Sequence, residues 1–238
     1  MSCVITTGAM LSSTVIIAAA VLTLPLLSVT VNVTVFSPTF EQSKLVLSKL
    51  KLGVLISGRG SNMEAIIKAI NSGQVAAELK VVISNNPEAA GLKKAENYDI
   101  KTAVVNPKEF LSKSDYEQKV VSHLKEAGVE LVVLAGYMRI VGKDILDAFP
   151  KKIINIHPSL LPAFKGLDAQ KQAFDSGVEV SGCTVHYVDE TLDGGLIISQ
   201  AVVAVEPEDT AESLSRKILV KEHQLLPAAI NLFAQGKL

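Results

Sequence analysis

From Leu52 onward, short apolar runs of strand length alternate with amphipathic stretches of helix length. No other feature of the chain limits its fold as strongly. Residues 52–57 (LGVLIS), 79–84, 101–105, 131–134 (LVVL) and 153–156 read as strands. Residues 62–71 read as a helix with Met63, Ile66, Ile67 and Ile70 on one face. Further helices are expected at 90–97, at 114–127 with Ser114 as its cap, and at 143–148. Strand and helix in strict alternation imply the α/β class, a doubly wound, mostly parallel sheet of Rossmann-like form. Past Pro158 the pattern changes. Residues 182–188 and 196–205 are strands separated only by a turn at 189–195, which predicts an antiparallel C-terminal pair. A helix from Thr210 to about Ala234 closes the chain, opening on an approximate capping box. No repeat or low-complexity linker divides residues 49–238, which are expected to form one domain.

Charge and cysteine content exclude several classes. The 23 basic and 24 acidic residues leave a formal charge of −1, so there is no electrostatic case for nucleic acid or an anionic membrane surface. Two cysteines, Cys3 and Cys183, cannot make a disulfide scaffold, and no His/Cys spacing suggests a metal site. The mean hydropathy of +0.35 is high, and the cause is local. Residues 1–43 hold one charged residue, Glu41, and thirteen Ser/Thr. The apolar run at 15–27 is short of the ~20 residues a membrane span needs, but it suits the apolar stretch of a targeting peptide. A basic leader is missing, and Val29, Val31, Val33 and Val35 alternate with polar residues as in a strand. Residues 1–48 are therefore set apart as an extension, a targeting segment or an anchor, with membrane contact expected only if the segment is retained.

Three motifs carry chemistry. Residues 57–62 (SGRGSN) form a glycine-rich turn between a strand and a helix, where free N–H groups and the helix dipole favour a phosphate. Met63 stands where a dinucleotide fingerprint needs its third glycine, and residues 84–86 (SNN) offer no acid for a ribose. Asn155 and His157 leave a strand end at i and i+2, so both side chains share a face. An amide donor beside an imidazole suits oxyanion stabilisation and proton transfer at a carbonyl carbon. Asp193, in the DETLDGG segment at 189–195, either belongs to a plain hairpin turn or reaches the imidazole. Met138, Arg139 and Ile140 follow a strand directly, at the edge where open α/β sheets bind ligands. Lys221, Glu222 and His223 read as surface charge on the last helix, and His123 as an ordinary polar residue of a helix face.

Taken together, residues 57–62, 135–140 (AGYMRI), 155–162 (NIHPSLLP), 182–187 (GCTVHY) and 193–195 (DGG) resemble the phosphoribosylglycinamide formyltransferases, over about four fifths of the chain. The resemblance implies a catalytic trio. His157 is the general acid, Asn155 holds the formyl oxygen and Asp193 raises the histidine's pKa. It implies that Gly60, Ser61 and Asn62 bind the phosphate of glycinamide ribonucleotide. Leu219, Val220, Lys221 and Glu222 form the second segment for that substrate, with Glu222 at its amino end. Lys113, Met138, Arg139, Ile140, Val141, Asn155, Asp189, Glu190, Thr191, Leu192 and Asp193 match the folate side, and His186 matches a family histidine near the site. Lys113 stands where many relatives carry arginine, and Lys165 and Leu196 replace common prolines, so the folate side departs most from the pattern. The implied co-substrate is 10-formyltetrahydrofolate, with no tightly bound cofactor and no metal. The cytosol is the implied compartment, or a plastid if residues 1–48 are a transit segment. Rival readings are another folate-dependent formyltransferase or deformylase sharing the Asn-x-His…Asp set, or an inactive binding module tethered to a membrane. A methionyl-tRNA formyltransferase is expected to carry a further C-terminal domain and a basic surface. A formyltetrahydrofolate deformylase is expected to carry an N-terminal regulatory domain.

Overall fold

The computed structural model describes residues 49–238; the expectations for residues 1–48 lie outside the described residues. In chain order the elements are β1 (Leu50–Ile56), α1 (Ser61–Asn71), β2 (Ala77–Ser84), α2 (Ala90–Glu96) and β3 (Thr102–Val104). A 3-10 turn (Pro107–Glu109) then leads to α3 (Lys113–Glu126), β4 (Leu131–Leu134), α4 (Lys143–Ala148), β5 (Ile153–His157) and α5 (Ala169–Asp175). The chain closes with β6 (Val180–Tyr187), β7 (Ile197–Ala204) and α6 (Ala211–Ala234). The strands form one sheet in the order β3-β2-β1-β4-β5-β6-β7. The pairs from β3 to β5 are parallel, and β5–β6 and β6–β7 are antiparallel.

The central strands read as unbroken apolar runs because both their faces are buried. Val54 and Ile56 point to one side, into a core shared with Met63 and Ile66 of α1 and Leu214, Ile218 and Leu226 of α6. Leu55 points to the other side, against Tyr116, Val120 and Leu124 of α3 and Ile145 of α4. Each fully buried Leu or Ile contributes about 1.5–3 kcal/mol. The side chains of Asn155 and His157 share the parity of Ile153, and so take the α3–α4 face of the sheet.

Two helix starts differ from expectation. The cap of α3 is Ser112 and not Ser114: the Asp115 N–H donates to the Ser112 hydroxyl at 3.0 Å, and Ser114 already lies in the first turn. At α6 the capping box is complete. Ser213 N–H donates to Thr210 Oγ1 at 3.2 Å and Thr210 N–H donates back to Ser213 Oγ at 2.8 Å, with serine in the place usually held by Glu or Gln. Helix α5 was not expected. Its only buried residues are Ala169 and Ala173, one turn apart, which is too little apolar surface to mark a helix in sequence.

Candidate active site

The loops after β1, β2, β4 and β5 leave the sheet at one edge, the carboxyl end of its parallel strands. His157 is the last residue of β5, and Asn155 lies two residues before it. Across the sheet they face Thr184 and His186 of β6. The His157 side chain is 5% exposed, and both its ring nitrogens meet acceptors. Nε2 lies 2.8 Å from the Phe164 carbonyl, and Nδ1 lies 3.4 Å from Asp193 Oδ2. A carbonyl only accepts, so Nε2 carries a proton. Nδ1 faces a carboxylate, so the ring is held between Phe164 and Asp193.

Asp193 reaches that position through a constrained loop. Its own backbone is left-handed at φ 46°, a region aspartate tolerates better than most residues. A Cβ at Gly195 would fall on the Tyr187 carbonyl oxygen, so only glycine lets the chain pass the end of β6 so closely. Oδ2 also accepts the Gly166 N–H at 2.8 Å, which fixes the carboxylate. The turn segment is therefore more than a hairpin: it delivers Asp193 to the imidazole.

His186 orients Asn155. Its Nδ1 lies 2.7 Å from the Tyr187 carbonyl and therefore donates. Burial holds this histidine below its usual range, so the ring is neutral and its Nε2 accepts. The Asn155 amide nitrogen, at 3.1 Å, is the donor. One of its two N–H bonds is thus committed, and the second is free for a ligand oxygen.

On the other side of the edge, Gly60 (φ 67°) caps α1, and a Cβ there would come within 2.8 Å of the Gly91 Cα. The turn 57–60 therefore lies flat against the start of α2, with the first N–H groups of α1 open. Asn62 donates to Glu222 Oε2 at 2.6 Å, while its own Oδ1 is buried without a partner. Glu222 is 5% exposed, which corrects the surface-charge reading. Burial pushes its carboxyl above the usual range, and the Asn62 bond partly offsets that. Leu219 joins Arg59 in lining a cleft of about 490 Å³, whereas Val220 and Lys221 are exposed. The structure thus joins two of the four residues of the second segment to the turn.

The expected folate side is mixed. Met138 and Ile140 are exposed, but the Val141 side chain is buried in the core, so only its backbone can serve a ligand. The Arg139 guanidinium stacks over the Tyr116 ring at 4.9 Å, and Tyr116 and Tyr137 share a hydroxyl–hydroxyl bond. Lys113 pairs with the buried Glu117 at 3.5 Å, whose carboxylate accepts the Gly142 N–H at 2.8 Å. It therefore lies beside the segment without facing outward alone. Asp189 accepts the Thr191 N–H and hydroxyl, which holds its carboxyl below the usual range. Glu190, Thr191 and Leu192 are exposed around it. Among the described residues, no group of three or more His, Cys, Asp or Glu could hold a metal ion.

Sequence reasoning missed the Phe164 carbonyl and the Gly166 N–H. Main-chain groups have no side-chain signature, and the only available signal was the tight loop framed by Pro162 and Gly166. The profile of the formyl transferase family matches residues 50–230. The chain is similar to the phosphoribosylglycinamide formyltransferase of Bacillus subtilis (strain 168), 43% identical over 180 residues, which cover 76% of this chain and 92% of that protein. It is also 44% identical over 195 residues to the trifunctional purine biosynthetic protein adenosine-3 of Gallus gallus. That match takes 82% of this chain and only 19% of the length of its relative. The crystal structure of glycinamide ribonucleotide transformylase 1 from Symbiobacterium toebii aligns at a TM-score of 0.78 and 46% identity, covering 79% of this chain and 89% of that one.

Proposed function

The chain belongs to the formyl transferase family, and from that premise we propose that it is a phosphoribosylglycinamide formyltransferase. It moves the formyl group of 10-formyltetrahydrofolate onto the amine of 5′-phosphoribosylglycinamide in purine biosynthesis. The observation that carries this reading is the set Asn155, His157 and Asp193 at the carboxyl end of β5, on the same sheet edge as the open helix terminus at Gly60, Ser61 and Asn62.

The amine attacks the formyl carbon, and negative charge gathers on the formyl oxygen. The free N–H of Asn155 donates to that oxygen, and the protonated ring of His157 stabilises it by charge. Asp193 supplies the opposite charge that an imidazolium needs beside it. His157 then acts as general acid and gives a proton to N10 as the bond from N10 to the formyl carbon breaks and tetrahydrofolate leaves, and the proton lost by the attacking amine restores the acid. Gly60, Ser61 and Asn62 take the phosphate on main-chain N–H groups, with Leu219 and Glu222 along the rest of the ribonucleotide. The exposed Met138 and Ile140, with Leu192, offer apolar surface to the pterin, and Lys113 and Arg139 lie beside them. Folate is consumed as a co-substrate, so no resident cofactor takes part.

We assign the reaction to residues 49–238. Purine synthesis places it in the cytosol, or in a plastid if residues 1–48 act as a transit segment. The test is a formyl-transfer assay on the purified chain with glycinamide ribonucleotide, run beside hydrolysis and initiator-tRNA controls. Transfer to the ribonucleotide alone is the expected result. Hydrolysis without transfer, or formylation of the tRNA, would overturn the reading.

A further inference from the structure

Strands β1 and β4 are neighbours, but their connections run opposite ways across the sheet, β1 to β2 and β4 to β5. Such a divergence opens a crevice between the two loops that follow the strands. In this chain one residue closes it. Ser57, directly after β1, donates its N–H to the Gly136 carbonyl at 3.0 Å. Its hydroxyl oxygen accepts the Met138 N–H at 2.7 Å, and its hydroxyl proton goes to Asn85 Oδ1 at 2.5 Å. The Ser57 carbonyl accepts the Asn86 side-chain amide at 3.3 Å. One half-buried residue therefore ties together the loops after β1, β2 and β4.

What those loops carry gives the stitch its meaning. The turn at 58–62 begins at the next residue, and Gly91 N–H donates to the Gly58 carbonyl at 3.0 Å, fixing the turn from its other side. Met138 opens the 138–141 segment, whose far end is held by Glu117 through the Gly142 N–H. Between these two fixed ends, Met138 and Ile140 stay 65% and 64% exposed. The bond from Met138 N–H to Ser57 Oγ is thus a direct link between the phosphate turn and the folate segment.

We propose that Ser57 is a positioning residue that holds the folate segment in register with the phosphate turn, so that the two substrates meet at reacting distance. The proposal rests on the roles given to those two segments above. A reaction between two bound substrates depends on their mutual placement, and an error of about 1 Å costs on the order of 100-fold in rate. Alanine at 57 removes the acceptor for Met138 and the donor to Asn85, while both main-chain bonds of the residue remain. The folate segment is then released and the strand is not.

The experiment compares the full chain with Ser57→Ala, Ser57→Thr and Asn85→Ala, varying each substrate in turn. Ser57→Ala is expected to lower kcat/KM for 10-formyltetrahydrofolate by about 10- to 100-fold. The dissociation constant for glycinamide ribonucleotide should change less than about threefold, because the turn keeps its own N–H groups. Ser57→Thr, which keeps the hydroxyl, should restore most of the loss. Asn85→Ala should show the same pattern more weakly, and it decides the matter if Ser57→Ala does not fold. Amide exchange at Met138 should accelerate in Ser57→Ala whether or not substrate is present. An active wild type with unchanged folate kinetics in Ser57→Ala and in Asn85→Ala would overturn the proposal. So would equal weakening of both ligands with no faster exchange at Met138. A wild type that transfers no formyl group overturns instead the functional reading on which the proposal stands.

Discussion

At the scale of single residues, His157 is defined by what surrounds it. Nε2 lies on the Phe164 carbonyl and Nδ1 faces Asp193, so acceptors hold the ring from both sides. His157→Asn keeps a polar side chain of similar reach and removes the charge and the transferable proton. Turnover is expected to fall by about two decades or more. Calorimetric affinity for glycinamide ribonucleotide should survive, since Gly60, Ser61 and Asn62 are untouched; unchanged turnover would remove His157 from the mechanism. Asn155 invites a finer test through its partner. His186→Leu deletes the acceptor that aims the Asn155 amide, so kcat should drop by about tenfold with little change in either KM. His186→Gln, whose amide oxygen can still accept, should recover part of that loss. Asn155 and His157 were legible in sequence because side chains at i and i+2 on a strand must share a face. The reach of Asp193 was not, because it depends on a left-handed residue and on Gly195 passing the Tyr187 carbonyl, and neither spacing nor residue type encodes that approach.

Whole elements were legible in proportion to the apolar surface they bury. β4 and α4 fall on the expected residues, and the other central strands differ only at their ends. β5 runs one residue further than expected and takes in His157, because the pairing of His157 with Thr184 prolongs the ladder. α5, with two small buried alanines, gave no periodic signal. Local polar chemistry was read less well: the cap of α3 moved from Ser114 to Ser112, since two nearby serines are equivalent in type and only the direction of the chain separates them. The box at α6 is the element-scale test. Thr210 and Ser213 satisfy two N–H groups of a 24-residue helix that carries Leu214, Ile218 and Leu226 into the core. Thr210→Ala is expected to destabilise the chain by about 1 kcal/mol, read as a lower urea midpoint with an unchanged slope. Its kcat should stay at the wild-type value, because the cap lies outside the residues assigned to the reaction.

Across the whole molecule, buried ionisable groups make stability depend on pH in two opposing ways. Burial holds His186 below the usual histidine range, and does the same to His223 on α6. The unfolded chain protonates such groups near pH 6.5 while the native chain still resists, so stability is lost as pH falls through that value. Glu222 works in the other direction. Its carboxyl is pushed up by burial, so the native chain holds a proton that the unfolded chain has already released above pH 4.5. That contribution is present at low pH and disappears as pH rises through the folded value. Each group changes stability by at most about 1.4 kcal/mol per pH unit inside its own window. Glu64 and Asp209, held down to about 2 by their lysine partners, lose their contributions only as pH falls below the ordinary carboxylate range. Urea midpoints taken between pH 7.5 and 5.5 should therefore respond to the buried histidines and not to those ion pairs, while the Glu222 contribution sets in above pH 4.5. His186→Gln is expected to flatten the decline on acidification, because one buried base no longer titrates. Glu222→Gln should remove the gain on acidification that the carboxyl gives between pH 4.5 and its raised folded value, while the Asn62 contact can persist. Slopes equal to wild type in both variants would show that neither group titrates differently in the two states. In that case the acid response of the molecule would come from His123 and His223 near pH 6.5 and, below about pH 4.5, from its carboxylates.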